Sequence, residues 1–213
     1  METKALKQIE KAHCKVQEKV FFTDSKKISG ATLFWSDKIT DSFWNYASFI
    51  NAKQSEELIK EVVEFCKSKN RKPAFYLTPW TKPKDFEIVL QSHGFKQAYK
   101  DAWQVYAGKQ ELNMPSSLEF REVKTRKEMR IFVDTFNKAF SGAPGDPYGA
   151  LPKEYGETVD LTFGKKRWKN YLVYSSGMPV ATGSIAINKD CAGVYSIGTH
   201  PDFRKKGFGQ GIG

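Results

Sequence analysis

A short glycine-rich segment near the end of the sequence combines residue types that bind anions. It has the pattern Arg204-x-x-Gly207-x-Gly209, and an apolar stretch typical of a β-strand leads directly into it. Because glycine has no Cβ, neighbouring backbone N–H groups can converge on one phosphate. Arg204 and the adjacent Lys205 and Lys206 add positive charge. The segment therefore predicts a pyrophosphate-binding loop, with a flexible glycine-rich terminus as the alternative.

Other glycine-rich motifs do not fit this segment. A dinucleotide-binding GxGxxG pattern that starts at Gly207 requires a glycine where Ile212 stands. A P-loop requires Ser or Thr after its Gly-Lys pair, and Lys166 occupies that place in the nearest candidate. The RNA-binding RNP1 pattern matches at its first four positions. It then requires aromatic residues that stack on bases, and the sequence has Gln210 and Gly213 instead.

Strands and helices alternate along the whole chain and must position this loop. In the second half, the sequence predicts strands over 118–123, 171–175, 179–188 and 193–199, a hairpin turn at 176–178, and helices over 125–140 and 153–162. In the first half, it predicts a helix over 3–19, strands within 20–35 and 42–50, a helix over 56–69 capped by Ser55, a buried strand over 74–77, a helix over 85–92 ended by Gly94, and an extended segment over 95–106. Residues 108–117 are predicted as a linker and 141–149 as a loop. The fold class is mixed α/β.

The strand and loop together resemble motif A of the GNAT superfamily of N-acetyltransferases. Residues 194–209 carry the resemblance, with the sequence Val-Tyr-Ser-Ile-Gly-Thr-His-Pro-Asp-Phe-Arg-Lys-Lys-Gly-Phe-Gly, and the likeness extends over about 118–213. It implies a GNAT-like acyl-CoA N-acyltransferase fold with a mixed sheet, and acetyl-CoA as co-substrate. The strand backbone would bind the pantetheine arm, and the loop amides would hold the pyrophosphate. The cofactor-binding residues that the resemblance implies are Ile197, Gly198, Thr199, Arg204, Lys205, Lys206, Gly207, Phe208, Gly209 and Gln210.

The first half of the chain shows a weaker similarity to the same family. Residues 74–79, 90–95 and 103–106 are similar to the closing strand–helix–strand portion of a GNAT domain, but no glycine occurs at 51–58, where a phosphate loop would lie. We therefore expect two domains. Residues 1–110 would form a degenerate GNAT-like domain without a cofactor site, or an unrelated small α/β domain. Residues 115–213 would form the GNAT domain, so that the chain is a tandem protein with an incomplete second copy.

The second half departs from the family at its end, because family members continue with a helix, a strand, a helix and a final strand after the glycine loop. The sequence ends at Gly213. We expect the chain to be truncated there, or a partner or the first domain to complete the sheet. On this expectation, residues 1–213 bind acetyl-CoA poorly and show little turnover.

Catalytic residues are not assigned from the sequence. Acetyl transfer to an amine requires a general base and a proton donor for the departing thiolate. Alignment on Arg204 places Cys191 where histone-type members carry a base glutamate, and the family's tyrosine acid would lie after the last residue. Asp190 and Tyr195 are polar alternatives, although such an Asp is more often a turn residue and such a Tyr more often part of the core. His200 is predicted to be a loop residue.

The composition limits the cellular setting and the partners. The 213 residues include 34 Lys and Arg against 24 Asp and Glu, for a net charge of +10. No apolar run approaches the roughly 20 residues of a membrane span, and the N-terminus lacks a signal-peptide pattern. Three dispersed histidines and three cysteines without CxxC spacing indicate neither a metal site nor a disulfide framework. We expect a cytoplasmic protein with no membrane partner.

Three functions are consistent with these observations. The first is an acetyl-CoA-dependent N-acetyltransferase acting on an amine of a small molecule or a protein, by direct attack of the amine on the thioester. The second is a non-catalytic acyl-CoA-binding module, which the missing acid and base would favour. The third is a nucleic-acid-binding protein, which charge alone favours; no specific nucleic acid is expected. The acceptor amine and the oligomeric state are not predicted from the sequence.

Overall fold

The computed structural model describes residues 3–106, 118–142, 149–189 and 191–206. Its helices are α1 (Thr3–Gln17), α2 (Ser55–Ser68), α3 (Phe86–Ser92), α4 (Arg126–Ala139) and α5 (Lys153–Asp160). Its strands are β1 (Asp24–Ile28), β2 (Ala31–Trp35), β3 (Tyr46–Ser48), β4 (Leu118–Glu122), β5 (Trp168–Ser175), β6 (Met178–Ile187) and β7 (Ala192–Thr199). They form two compact units, residues 21–106 in one and residues 3–20 with 118–206 in the other. Within the described ranges, no helix has the length and apolar character that crossing a bilayer requires.

The larger unit is built on an antiparallel sheet in the order β4-β5-β6-β7. The central strands β5 and β6 form the predicted hairpin, and their joining residues Ser176 and Gly177 have φ values of 50° and 77°. Two successive left-handed residues match the right-handed twist of the strands they connect. Val173 and Val180, one on each strand, are fully buried. The hairpin therefore supplies the centre of the core and supports β7 at the edge.

Helix α4 packs against β6 and β7 and forms the predicted helix over 125–140. Its start is fixed by a capping box: the Thr125 hydroxyl accepts from the Glu128 N–H at 3.2 Å, and a Glu128 carboxylate oxygen accepts from the Thr125 N–H at 2.8 Å. Met129, Phe132 and Phe136 recur with helical spacing and are buried. This apolar face fixes the C-terminal end of α4 beside the end of β7.

Helix α1 belongs to the same unit, although it lies at the other end of the sequence. The Trp168 indole N–H donates to the backbone oxygen of Val16 at 3.2 Å, and both residues are buried. Residues 3–19 were expected in the first domain, whereas in the structure they belong to the same unit as residues 118–206. The difference has a physical reason, because an amphipathic pattern predicts a buried face without specifying the surface that covers it.

The smaller unit contains the antiparallel sheet β1-β2-β3 with α2 and α3. The apolar face of α2, including Leu58 and Val62, forms one core with Leu33 of β2 and Phe86 of α3. The predicted strand over 74–77 is much shorter than expected. Its single bridge joins Phe75 to Ala47 in parallel, through two N–H to O bonds of 2.9 Å each.

Most predicted elements are confirmed, with differences at specific residues. The α/β class is confirmed, and both sheets are antiparallel. The expected cap of α2 is wrong: Ser55 is the first helical residue, and the capping position is Gln54, whose side chain makes no capping bond. Gly94 follows α3 with φ 80°, as expected of a residue that ends a helix. Residues 95–106 contain no strand. The linker 108–117 and most of the loop 141–149 lie outside the described residues.

Candidate functional site

The C-terminal end of β7 carries the three residues expected to bind a pantetheine arm. Gly198 pairs with Thr182 of β6, and Thr199 pairs with Ala181. Between Thr182 and Ser184 the register shifts, so that β7 contains one extra residue. Ser196 lies in this bulge with φ 54°, and its backbone oxygen accepts from the Thr182 hydroxyl at 2.9 Å. A bulge bends a strand and interrupts its ladder, so the last residues of β7 are redirected.

The outer edge of β7 is available for hydrogen bonding in the described part of the chain, where β7 pairs with β6 and with no other strand. Ile197 is exposed at this edge, whereas Gly198 is buried. An unpaired strand edge presents N–H and C=O groups that another extended molecule can bind. The bulge and the edge thus determine where the backbone groups of Ile197, Gly198 and Thr199 lie, and the binding of a pantetheine arm there stays a prediction.

Gly198 is the point at which β7 meets the end of α4. A Cβ placed on Gly198 would lie 2.8 Å from the Ala139 Cβ and 2.8 Å from a ring carbon of Phe140. Real Cβ atoms do not approach other atoms so closely, so a larger residue would separate helix from strand. The glycine is therefore needed for close packing at this position.

Arg204 holds the segment after β7 against α4. Its Nη2 donates to the backbone oxygen of Ala139 at 2.7 Å, and its Nε donates to the backbone oxygen of Thr199 at 3.3 Å. The carbonyl groups at a helix end lack partners within the helix, and a cation there also interacts favourably with the helix dipole. The sequence predicts that Arg204 attracts a phosphate, and this stays a prediction. In the structure, its guanidinium donates to these two backbone oxygens.

The two lysines after Arg204 are exposed. Lys205 has φ 60°, and the Lys206 ammonium donates to the Asp202 backbone oxygen at 3.0 Å while lying 5.1 Å from the centre of the Phe203 ring. Positive charge is therefore present where the predicted loop begins. The rest of that loop, Gly207, Phe208, Gly209 and Gln210, lies outside the described residues.

His200 is a turn residue, as the sequence predicts. Its Nδ1 accepts from the Asp202 N–H at 3.3 Å at the start of the short 3-10 turn Pro201–Phe203. The backbone N–H of His200 donates to the backbone oxygen of Val180 at 2.9 Å. The Nδ1 of His200 thus accepts from the backbone of the turn, and both contacts give the residue a structural role there.

Tyr195 is partly buried and contacts a residue that the sequence does not indicate as its partner. Its hydroxyl oxygen lies 3.1 Å from Nδ1 of His13 on α1, and its ring centre is 5.3 Å from that of Trp168. Burial raises the pKa of Tyr195 and lowers the pKa of His13 to about 4, because each charged form would lose its hydration. Cys191 is partly exposed, and Asp190 lies outside the described residues.

Comparison with known proteins identifies the fold. No protein-family model matches the chain, and no curated protein matches it. Among solved structures, one similar protein is a GCN5-related N-acetyltransferase from Kribbella flavida. The match covers 95% of this chain and 76% of the Kribbella chain, with a TM-score of 0.62 and 16% sequence identity. A conserved protein of unknown function from Staphylococcus epidermidis matches 91% of this chain and 77% of its own, with a TM-score of 0.54 and 11% identity. The chain therefore has the mixed α/β fold of the GCN5-related N-acetyltransferases.

Proposed function

We propose that this protein binds acetyl-CoA and transfers its acetyl group to an amine. The observation that carries the proposal is the similarity to an N-acetyltransferase structure over 95% of the chain. When bound, acetyl-CoA would supply the acetyl group as a thioester, the amine nitrogen would form the new bond to the carbonyl carbon, and CoA would leave as the thiol. Because identity is low, the proposal names an amine as the acceptor class and no particular substrate.

The residues at the end of β7 support binding of the co-substrate. The outer edge of β7 at Ile197–Thr199, where Ile197 is exposed, would offer backbone donors and acceptors to an extended pantetheine arm. Lys205 and Lys206 add positive charge beside the segment where the sequence predicts pyrophosphate-binding amides at Gly207–Gln210. Arg204 would act through the backbone contacts that hold this segment to α4.

Acetyl transfer requires a base that takes the proton of the amine and an acid that protonates the CoA thiolate. No described side chain is assigned to either step, and a second candidate function needs neither. Tyr195 is partly buried with its hydroxyl beside His13, and the His200 Nδ1 accepts from a backbone N–H. Neither group is presented at the edge of β7 as an acid or base. A non-catalytic module that binds acyl-CoA would need no such group, so it is the alternative that the described residues support.

Calorimetric titration with acetyl-CoA and colorimetric detection of released CoA thiol over an amine panel separate the candidates. Binding with amine-dependent thiol release supports the transferase. Binding without release across the panel supports the module. No detectable binding, not even the weak binding expected of residues 1–213, contradicts both.

The double variant K205Q/K206Q should weaken acetyl-CoA binding, and more strongly at low than at high ionic strength, because the attraction is electrostatic. The control K165Q/K166Q removes the same charge from another exposed lysine pair of the same unit and should leave binding unchanged. Equal effects of the two double variants would show that net charge, and not this loop, determines affinity.

A further inference from the structure

Several aromatic side chains lie at the surface of the smaller unit. Phe43, Tyr99 and Trp103 are 39%, 45% and 40% exposed, so about two fifths of each residue is open to solvent. The Phe43 and Tyr99 ring centres are 5.5 Å apart. The face of an exposed aromatic ring is apolar and carries partial negative charge from its π-electrons.

Hydrogen bonds hold this surface in a defined arrangement. The Trp103 indole N–H donates to the Tyr76 hydroxyl at 2.7 Å, and that hydroxyl is hydrogen-bonded to the Asp101 carboxylate. The Tyr76 ring is 5.4 Å from the ring of Tyr46, which is buried on β3. Trp103 and Asp101 are thereby connected to the core of the unit, although they lie in a segment without regular secondary structure.

Two carboxylates accompany the exposed rings. Asp41 accepts from the Phe43 N–H at 2.8 Å and so caps the 3-10 turn Ser42–Trp44. Burial and the negative charges of Asp101 and Asp41 raise the pKa of Tyr99 to about 12, because a phenolate would be poorly hydrated and repelled there. Asp101 stands two positions after Tyr99 and two before Trp103, and Asp41 stands two before Phe43, so each carboxylate is close along the chain to an exposed ring.

We propose that this aromatic–acidic cluster, formed by Asp41, Phe43, Tyr76, Tyr99, Asp101 and Trp103, binds a small organic ammonium ion. The exposed ring faces attract a cation through their quadrupoles, and the carboxylates add a direct Coulombic attraction. An anionic ligand would be repelled, and a neutral apolar ligand would gain nothing from the two acids. Charge complementarity therefore selects an ammonium ion as the occupant.

This site is independent of the proposed acetyl transfer. All six of its residues belong to the unit of residues 21–106, and none is among the residues expected to hold acetyl-CoA. Its test on the full chain uses binding as the readout, so loss of acetyl transfer and loss of ammonium binding can be told apart.

The test compares choline with 3,3-dimethyl-1-butanol, its neutral isostere, by saturation-transfer NMR and titration of tryptophan fluorescence. Choline should bind, and the isostere should bind more weakly, because the two differ in charge and not in shape. Equal binding of both molecules would overturn the proposal, since the surface would then be merely apolar. Absence of choline binding would also overturn it.

Three variants locate the site. D41N keeps the cap, because Asn caps as well as Asp, while removing the charge. D101N keeps an acceptor for Tyr76, and W103L keeps apolar volume while removing the ring face. Each should weaken choline binding roughly twofold to fivefold.

The control variant E87Q removes one negative charge from an exposed position of α3 in the same unit and should leave choline affinity unchanged. An equal loss in E87Q and in the Asp variants would overturn the assignment, because a general charge effect would explain both. If none of the three variants D41N, D101N and W103L altered the affinity for choline, the ammonium ion would bind elsewhere. That result would also overturn the assignment.

Discussion

His13 is partly buried on α1 with its Nδ1 beside the hydroxyl of Tyr195, and burial lowers the pKa of its imidazole, so that the ring is neutral at pH 7 in the folded protein. The unfolded chain would bind a proton at the ordinary pKa of 6.5, whereas the folded protein would do so only near pH 4. Because the folded-state pKa is the lower one, the contribution of His13 to stability is fully present above pH 6.5 and is lost as the pH falls toward 4. A difference of this size amounts to about 3 kcal/mol of unfolding free energy.

We predict that H13Q removes this part of the acid sensitivity. Gln keeps a polar group near Tyr195 but does not titrate. The unfolding free energy of the H13Q variant should therefore fall less than that of the native protein as the pH is lowered from 6.5 to 4. Urea unfolding at several pH values in this window measures the difference. Parallel pH profiles for the two proteins would contradict the prediction.

At the residue scale, the sequence predicts features that depend on residues close together in the chain. The spacing of Arg204, Gly207 and Gly209 is local, and it led to the end of β7 as the expected site. The His13–Tyr195 contact joins residues 182 positions apart, and no local pattern connects them. Nor does the sequence show that Arg204 is directed to Ala139, because that contact depends on where α4 ends.

At the scale of secondary-structure elements, Arg204 joins the end of α4 to the end of β7. If this connection is its role, R204K should lose acetyl-CoA affinity nearly as strongly as R204M, because an ammonium cannot bond two carbonyls with the geometry of a guanidinium. Calorimetric titration at two ionic strengths measures both variants. Retained affinity in R204K with salt-sensitive loss in R204M would instead assign Arg204 a direct attraction for phosphate.

The sequence predicts an element well when the residues of that element themselves carry a clear pattern, such as a cap or a periodic apolar face. Helix α4 has a capping box and a periodic apolar face, and its predicted bounds agree with the structure to within one residue. The stretch 74–77 has a strand-like composition but only one bridging residue, because strand length depends on a neighbour that composition does not reveal. The bulge at Ser196 was not predicted for the same reason, since a bulge is a property of two paired strands.

At the scale of the whole molecule, the division into two units gives α1 and α2 different partners. We predict that V16A increases hydrogen exchange in β5 and β7 more than in β1–β3, because Val16 is buried with the unit of residues 118–206. V62A is the matched control: it removes the same two methyl groups from the fully buried Val62 of α2 and should give the opposite pattern. The same exchange pattern in both variants would contradict the division.

The overall class follows from the alternation of strands and helices, whereas the membership of α1 does not. Composition and periodicity are properties of neighbouring residues, and the assignment of a helix to one core or another depends on contacts between distant ones. The boundary expected at residues 110–115 takes no account of α1 for this reason.

The contact between Trp168 and Val16 has a consequence for biosynthesis. The two residues are 152 positions apart, so at ordinary translation rates α1 leaves the ribosome roughly 8–30 s before β5. A 15-residue helix is marginally stable alone. During that interval the intervening unit can complete its own core, while the apolar face of α1 stays without its final cover and is open to chaperones. The burial of α1 against its final partner therefore waits until β5 has been synthesised.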